Sequence, residues 1–175
     1  MVAISKPKYS KDEVYQRFNL KEILGYSPSE EQKKLFYELV VDKIVQRTAS
    51  GKDINGSKFT RYSEAYAKKK GVARGAVDLI LEGDMLSSFE ESQEQKNVVK
   101  IKMAEGDETL KAYNHNVGDT LPKRTFFGLN ESENIRSIIR EVDSFKEAPA
   151  KEKRTTLADL RDAINTTIFT ETEGL

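Results

Sequence analysis

Few residues of this chain could do covalent chemistry. Its 175 residues include one histidine, His115, and no cysteine. A zinc or iron centre needs several His, Cys or carboxylate ligands at fixed spacing, so only carboxylates are left to build one. The pair His115–Asn116 would suit a metal-dependent nuclease only alongside further histidines, and there are none. Serine-hydrolase chemistry would have to use His115 as its base, and no Gly-x-Ser-x-Gly elbow presents a nucleophile. The segment Gly71-Val72-Ala73-Arg74-Gly75 lacks the Gly-Lys-Ser/Thr ending of a phosphate-binding loop. Glu90 and Glu91 are adjacent, so a strand would point them to opposite faces, a poor geometry for an acid/base pair. Nothing among these residues has the spacing of a catalytic, cofactor or metal site, so no enzyme, cofactor or metal is expected.

The densest cluster of distinctive residues is Tyr113 to Leu129, which holds His115, Pro122, Arg124, Phe126 and Phe127 and closes on Gly128 and Leu129. It reads as a shaped, rigid loop presenting large side chains, and these five residues are candidate interface residues. His115 would serve as a hydrogen-bonded anchor. Arg124 has a planar fork suited either to pinning the loop through carbonyls or carboxylates, or to an interface. Phe126 and Phe127 diverge on an extended chain, so one can enter the core while the other faces a partner.

Composition narrows the field further. Lys and Arg total 29, as do Asp and Glu, for a formal net charge of zero. That balance argues against non-specific nucleic-acid binding, which needs a positive field, and it leaves little repulsion between copies. Hydrophobic residues make up 37% and charged residues 33%, polar for a globular domain but enough for a core. No apolar stretch approaches a membrane span and no signal segment opens the chain, so a soluble protein that stays where it is made is expected. The run Lys68-Lys69-Lys70 could form a nucleic-acid patch, although lysines at a helix C-terminus also complement its dipole.

The elements that must position these residues suggest an α+β fold: a small antiparallel sheet of three to four strands packed with two or three amphipathic helices. Residues 1–27 read as an N-terminal arm with a helix over 11–24 stopped by Gly25, docked on its own domain or on a neighbouring copy. Ser27 or Ser29 can cap a long helix that ends near Ala49 and carries Leu35, Phe36, Leu39, Val40, Val41, Ile44 and Val45. Asn55-Gly56 marks a tight turn, and Ser63 caps a short basic helix stopping at Gly71. Strand alternation marks 98–103, with neighbours near 88–93 and 109–113 completing a meander. Asn130 would cap a last core helix over 131–145, closing a domain of residues 28–145. Residues 146–175 read as a helical extension, with Leu157, Leu160, Ile164 and Ile168 packing on another copy or a partner.

Taken in order, several of these segments resemble the phage virion morphogenesis family, the tail-completion proteins of the Mu-like G type. A helix ending at Ala49 leads to Gly56-Ser57-Lys58-Phe59-Thr60-Arg61-Tyr62-Ser63, similar to the family's Gly-x-Phe/Trp-x-x-Tyr-Ser pattern. Leu81-Glu82-Gly83-Asp84-Met85-Leu86-Ser87-Ser88 is similar to its Leu-x-x-Thr-Gly-x-Met/Leu segment, with Glu82 departing where Thr is usual. His115, Gly118, Pro122, Arg124, Phe126, Phe127, Gly128 and Leu129 match its His-x-x-Gly…Pro-x-Arg-x-Phe-Phe/Leu-Gly-Leu ending. The match covers roughly residues 30–143.

The resemblance implies a structural virion protein of a tailed bacteriophage, assembled in the host cytoplasm and sited at the head–tail neck or the top of the tail. It would complete the tail and allow head–tail joining by forming a homo-oligomeric ring, six-fold on the virion, through head-to-tail contacts that close. Its implied partners are the neighbouring neck, connector and tail-tube proteins. DNA would pass through the lumen without specific binding, and no membrane is involved. The alternative is a small nucleic-acid-binding module using the basic helix near Lys68–Lys70.

Overall fold

The structure, a computed structural model, describes residues 4–80, 84–130 and 133–145. The C-terminal extension, with Leu157, Leu160, Ile164 and Ile168, lies outside the described residues. The fold is α+β, with a four-stranded antiparallel sheet. Its strands are β1 (Lys8–Tyr9), β2 (Val14–Asn19), β3 (Phe89–Gln95) and β4 (Val98–Met103), in the order β1-β2-β4-β3.

The alternation in β4 is the one the sequence suggested. Val99, Ile101 and Met103 are buried on one face, and Lys100 and Lys102 lie on the other. That second face is a lattice of charge: the Lys100 ammonium pairs with Glu13 and, at 3.0 Å, with Glu94, which also accepts from Arg17 at 2.7 Å. Arg17 and Lys100 lie 4.5 and 4.4 Å from the Tyr15 ring centroid. The attraction of such cations to the ring lets Lys100 be covered without losing its charge.

Helices cover the apolar face. Helix α1 (Leu20–Leu24) ends at Gly25, as expected. Helix α2 (Glu30–Ala49) starts with a reciprocal cap, in which the Ser29 hydroxyl accepts from Gln32 N at 3.1 Å and the Gln32 side chain accepts from Ser29 N at 2.9 Å. Its stripe of Phe36, Val40 and Ile44 is almost wholly buried, and Phe36 meets Phe18 of β2 edge-on with centroids 5.3 Å apart. Helices α3 (Glu64–Lys70) and α4 (Asp84–Ser87) are short; α5 (Asp107–Val117) and α6 (Glu133–Ser144) complete the described set. Ser63 caps α3, its hydroxyl accepting from Tyr66 N at 3.2 Å, and Gly71 ends it. Helix α6 lies along α2 and places Ile135, Ile138 and Val142 in the core. Residues 131 and 132, where the expected cap by Asn130 would act, lie outside the described residues.

Three expectations are corrected. Residues 11–24 are not one helix, and residues 1–27 are not an arm lying outside the domain. The described part supplies β1, β2 and α1, and β2 is an inner strand paired with β4 from Asn19↔Val98 to Tyr15↔Lys102. The buried positions of β2 are Val14, Gln16 and Phe18, a period of two masked by a glutamine at its centre. Residues 109–113 are likewise not a strand but the middle of α5. Its buried positions Thr109, Ala112 and Asn116 fall at helical spacing but carry little apolar character, so no stripe shows in the sequence.

Candidate functional site

The segment from Arg124 to Asn130 has no regular secondary structure, yet Phe126, Phe127, Gly128 and Leu129 are buried. An irregular backbone in a core is tolerated only if its amides and carbonyls find partners. Here side chains from four different elements supply most of them. Phe127 N donates to the Asn116 side-chain oxygen at 2.9 Å, and the Tyr9 hydroxyl donates to Phe127 O at 2.9 Å. The Arg47 guanidinium, at the end of α2, donates to the carbonyls of Phe126 and, at 3.0 Å, Gly128. Gln16 of β2 pairs with Leu129 as a neighbouring strand would: its Oε1 accepts from Leu129 N at 2.8 Å and its Nε2 donates to Leu129 O at 2.7 Å. Backbone groups do the rest, with Arg124 N donating to His115 O at 2.7 Å and Ile54 N to Thr125 O at 2.8 Å.

The segment is therefore an internal strap threaded between β2, α2, α5 and the 51–59 turn. The expectation of a loop displaying aromatic anchors is corrected on this point. Phe126 and Phe127 are both fully buried, and Phe127 stacks on Phe89 of β3 with centroids 5.8 Å apart. Burying two large apolar side chains offsets part of the entropy cost of ordering the strap, provided its polar groups are met. Gly128 completes the fit: its φ is +100°, and a Cβ there would come within 2.2 Å of Pro7 Cγ.

Arg124 takes the pinning role. Its Nε donates to Thr60 O at 2.8 Å and its Nη2 to Arg61 O at 3.2 Å, with the guanidinium 5.1 Å from the Tyr62 ring centroid. It is 4% exposed, so it is no surface anchor. His115 lies on α5 facing the same cluster, and its Nδ1 is buried without a hydrogen-bond partner. Burial, with the Arg124 charge adding to it, pushes the imidazole down to about 4. A neutral anchor is what that environment permits. Burial likewise lowers Arg47 to about 10. Of the five loop candidates only Pro122 is exposed. It sits beside Leu121, one of two large apolar side chains exposed among the described residues, at the tip between α5 and the strap.

Gln16, Arg47, Asn116 and Tyr9 hold the strap, and sequence reasoning did not single them out. No local pattern marks them, since each acts on residues at least eleven positions away. The basic triplet is also reduced. Lys68 and Lys69 are exposed, but Lys70 is folded under, pairing with Asp78 and donating to the Tyr62 hydroxyl at 3.2 Å. Leu79, next to that pair, has a φ of 58°, an uncommon backbone state for a branched residue. Among the described residues no group of three or more His, Cys, Asp or Glu could hold a metal ion, and no helix is long and apolar enough to cross a membrane. No protein-family model matches the chain, and no curated protein or solved structure is significantly similar to it.

Proposed function

We propose that the chain is a structural virion protein of a tailed bacteriophage, placed at the head–tail neck or the top of the tail. It acts by assembling into a ring that completes the tail and allows it to join the head. The observation that supports this reading is the meeting of two distant segments that carry the tail-completion resemblance. Gly56–Ser63 and Pro122–Leu129 are far apart in sequence, yet Arg124 of the second grips the carbonyls of Thr60 and Arg61 in the first. Residues in that order and at that spacing form one junction of the domain, which is what a shared fold would require of its recurring motifs. Among the described residues the surface left for ring contacts is the tip at Leu121 and Pro122; Leu157, Leu160, Ile164 and Ile168, which recur at helical spacing in the sequence, are the proposed contacts of the extension outside them.

The test is electron microscopy of lysates from a host infected with virus lacking this gene. Full heads beside unattached tails are expected. Complete, infectious particles would overturn the assignment. Native mass spectrometry of the purified protein, with and without tails, separates a ring that forms alone from one that needs a template. Steeply salt-dependent affinity for DNA would favour the nucleic-acid reading instead, because release of counterions from phosphates forces such a slope.

A further inference from the structure

A cleft of about 480 Å³ opens between the C-terminal half of α2 and the turn that follows it. Three cations line it, Lys43, Arg47 and Lys52, together with the amides of Gln46, Asn55 and Asn130, and no carboxylate does. Three covered lysines elsewhere are paired with carboxylates, whereas covered Arg124 is met by carbonyls alone. Lys33 is 2.6 Å from Glu30, Lys70 pairs with Asp78, and Lys100 pairs with Glu13 and Glu94. Around the cleft, by contrast, none of the three cations makes an ion pair among the described residues. Arg47 directs Nη2 to two strap carbonyls, and its Nε is buried with no partner.

The nearest carboxylates are occupied. Asp53 Oδ1 accepts from the backbone N of Asn55 and of Ser57, each at 2.8 Å, and both Asp42 oxygens accept from the Gln46 amide. Asp42 beside Lys43 and Asp53 beside Arg47 offset part of the charge of the three cations, and a local excess of positive charge remains in one concave place. Basic residues also offset the negative end of a helix, but Lys43 sits about two turns inside α2 and Lys52 beyond it, outside the last turn where that effect acts.

We infer that this cleft binds an acidic stretch of polypeptide. The lysines supply charge for carboxylates. The amides favour a peptide over a phosphate backbone, because peptides offer both donors and acceptors while phosphates only accept. Asn130 Nδ2 donates to Asn55 Oδ1 at 3.0 Å, so the Asn55 amide nitrogen remains a donor, and Gln46 Oε1 an acceptor, with no bond among the described residues. The volume suits a few residues and falls well short of a duplex, which needs a broad basic surface. This inference does not rest on the ring assignment.

The probe is a fluorescein-labelled hexamer of glutamate, titrated against the full chain at low ionic strength, where screening is weak. The comparison set is wild type, Lys43→Ala/Lys52→Ala, and Lys68→Ala/Lys69→Ala, which removes the same charge elsewhere; Arg47 is left intact because it holds the strap. The first pair should weaken binding about tenfold and the control pair by less than about twofold, with unchanged melting temperatures. Equal losses in both variants, no measurable binding to wild type, or tighter binding of a single-stranded DNA oligomer than of the peptide would each overturn the inference.

Discussion

Gln16 offers the sharpest test of how the strap is held. It is 1% exposed, and its amide meets three backbone groups: Leu129 N at 2.8 Å, Leu129 O at 2.7 Å and Ser5 O at 2.7 Å. Methionine is unbranched and close in length, so Gln16→Met keeps the packing and removes the polar partners. Leu129 is itself buried, so its N–H and C=O would be left without a partner or water. Orphaning a buried backbone group costs about 1–3 kcal/mol. Two such groups, less a small gain from burying a thioether in place of an amide, put the loss at about 3 kcal/mol. That is a large part of the roughly 5–15 kcal/mol that holds a domain together. Urea unfolding should show a lower midpoint with an unchanged slope, and the melting temperature should fall by on the order of 10 °C. A loss under about 1 kcal/mol would refute the reasoning and would mean that aromatic packing alone holds the strap.

Gln16→Glu separates the two halves of that pairing. The carboxyl keeps an acceptor for Leu129 N but, when ionised, turns a negative charge toward two carbonyl oxygens. Burial and those carbonyls raise its folded pKa above the ordinary glutamate value of about 4.3. A folded pKa above the unfolded one means stability that is complete below the unfolded value and lost as pH rises through the folded value. The variant should therefore lie nearest to wild type in mild acid and fall away toward neutral pH. A constant gap between the two proteins across that range would show that the side chain had swung out to solvent.

Three further outcomes follow from the same cluster. Phe127→Ala should lose about 3–5 kcal/mol by urea unfolding and yield a poorly folded chain, since the ring is fully buried against Phe89; a stable variant that only fails to assemble would restore the interface role. Gly128→Ala should cost about 2 kcal/mol or more, because its Cβ would sit 2.2 Å from Pro7 Cγ at a φ of +100°, whereas Gly25→Ala, with open space and a φ of +79°, should cost about 1 kcal/mol. His115 has a folded pKa depressed to about 4, so the stability it contributes is present above the unfolded value of about 6.5 and lost as pH falls toward 4. His115→Gln should flatten that acid limb of the stability curve, and an unchanged limb would place the titration elsewhere.

What could be read from the sequence depended on how local its cause was. Helices α2 and α3, their caps and the alternation of β4 were legible because each rests on neighbours a few positions apart, such as Ser29 with Gln32 or Val99 with Ile101. Failures occurred where a polar residue occupies a core position. Gln16 broke the alternation of β2, and Thr109 and Asn116 blurred the stripe of α5. Gln16 and Asn116 are inside because the strap needs them there, and Thr109 because it closes the start of its own helix. The Gln16 amide replaces a missing strand, Asn116 bonds Phe127 N, and Thr109 Oγ1 donates to Ala104 O at 2.6 Å at the entry to α5.

The burial of both phenylalanines is hidden in the sequence for a related reason. The spacing of Arg124, Phe126, Phe127 and Gly128 correctly marks a segment under strong constraint, but the same residue types suit an exposed interface and an internal brace. What decides between them is the supply of backbone partners. A strap carrying two phenylalanines can be buried only if its carbonyls and amides are met, and the donors that meet them come from Tyr9, Gln16, Arg47 and Ile54, each at least seventy positions away. Pro122, outside that set of contacts, is the one loop candidate that stays exposed, beside Leu121. If the chain forms the proposed ring, its interface on this part of the molecule should therefore be sought at the tip, where Leu121→Asp should weaken assembly while leaving the melting temperature within a few degrees of wild type.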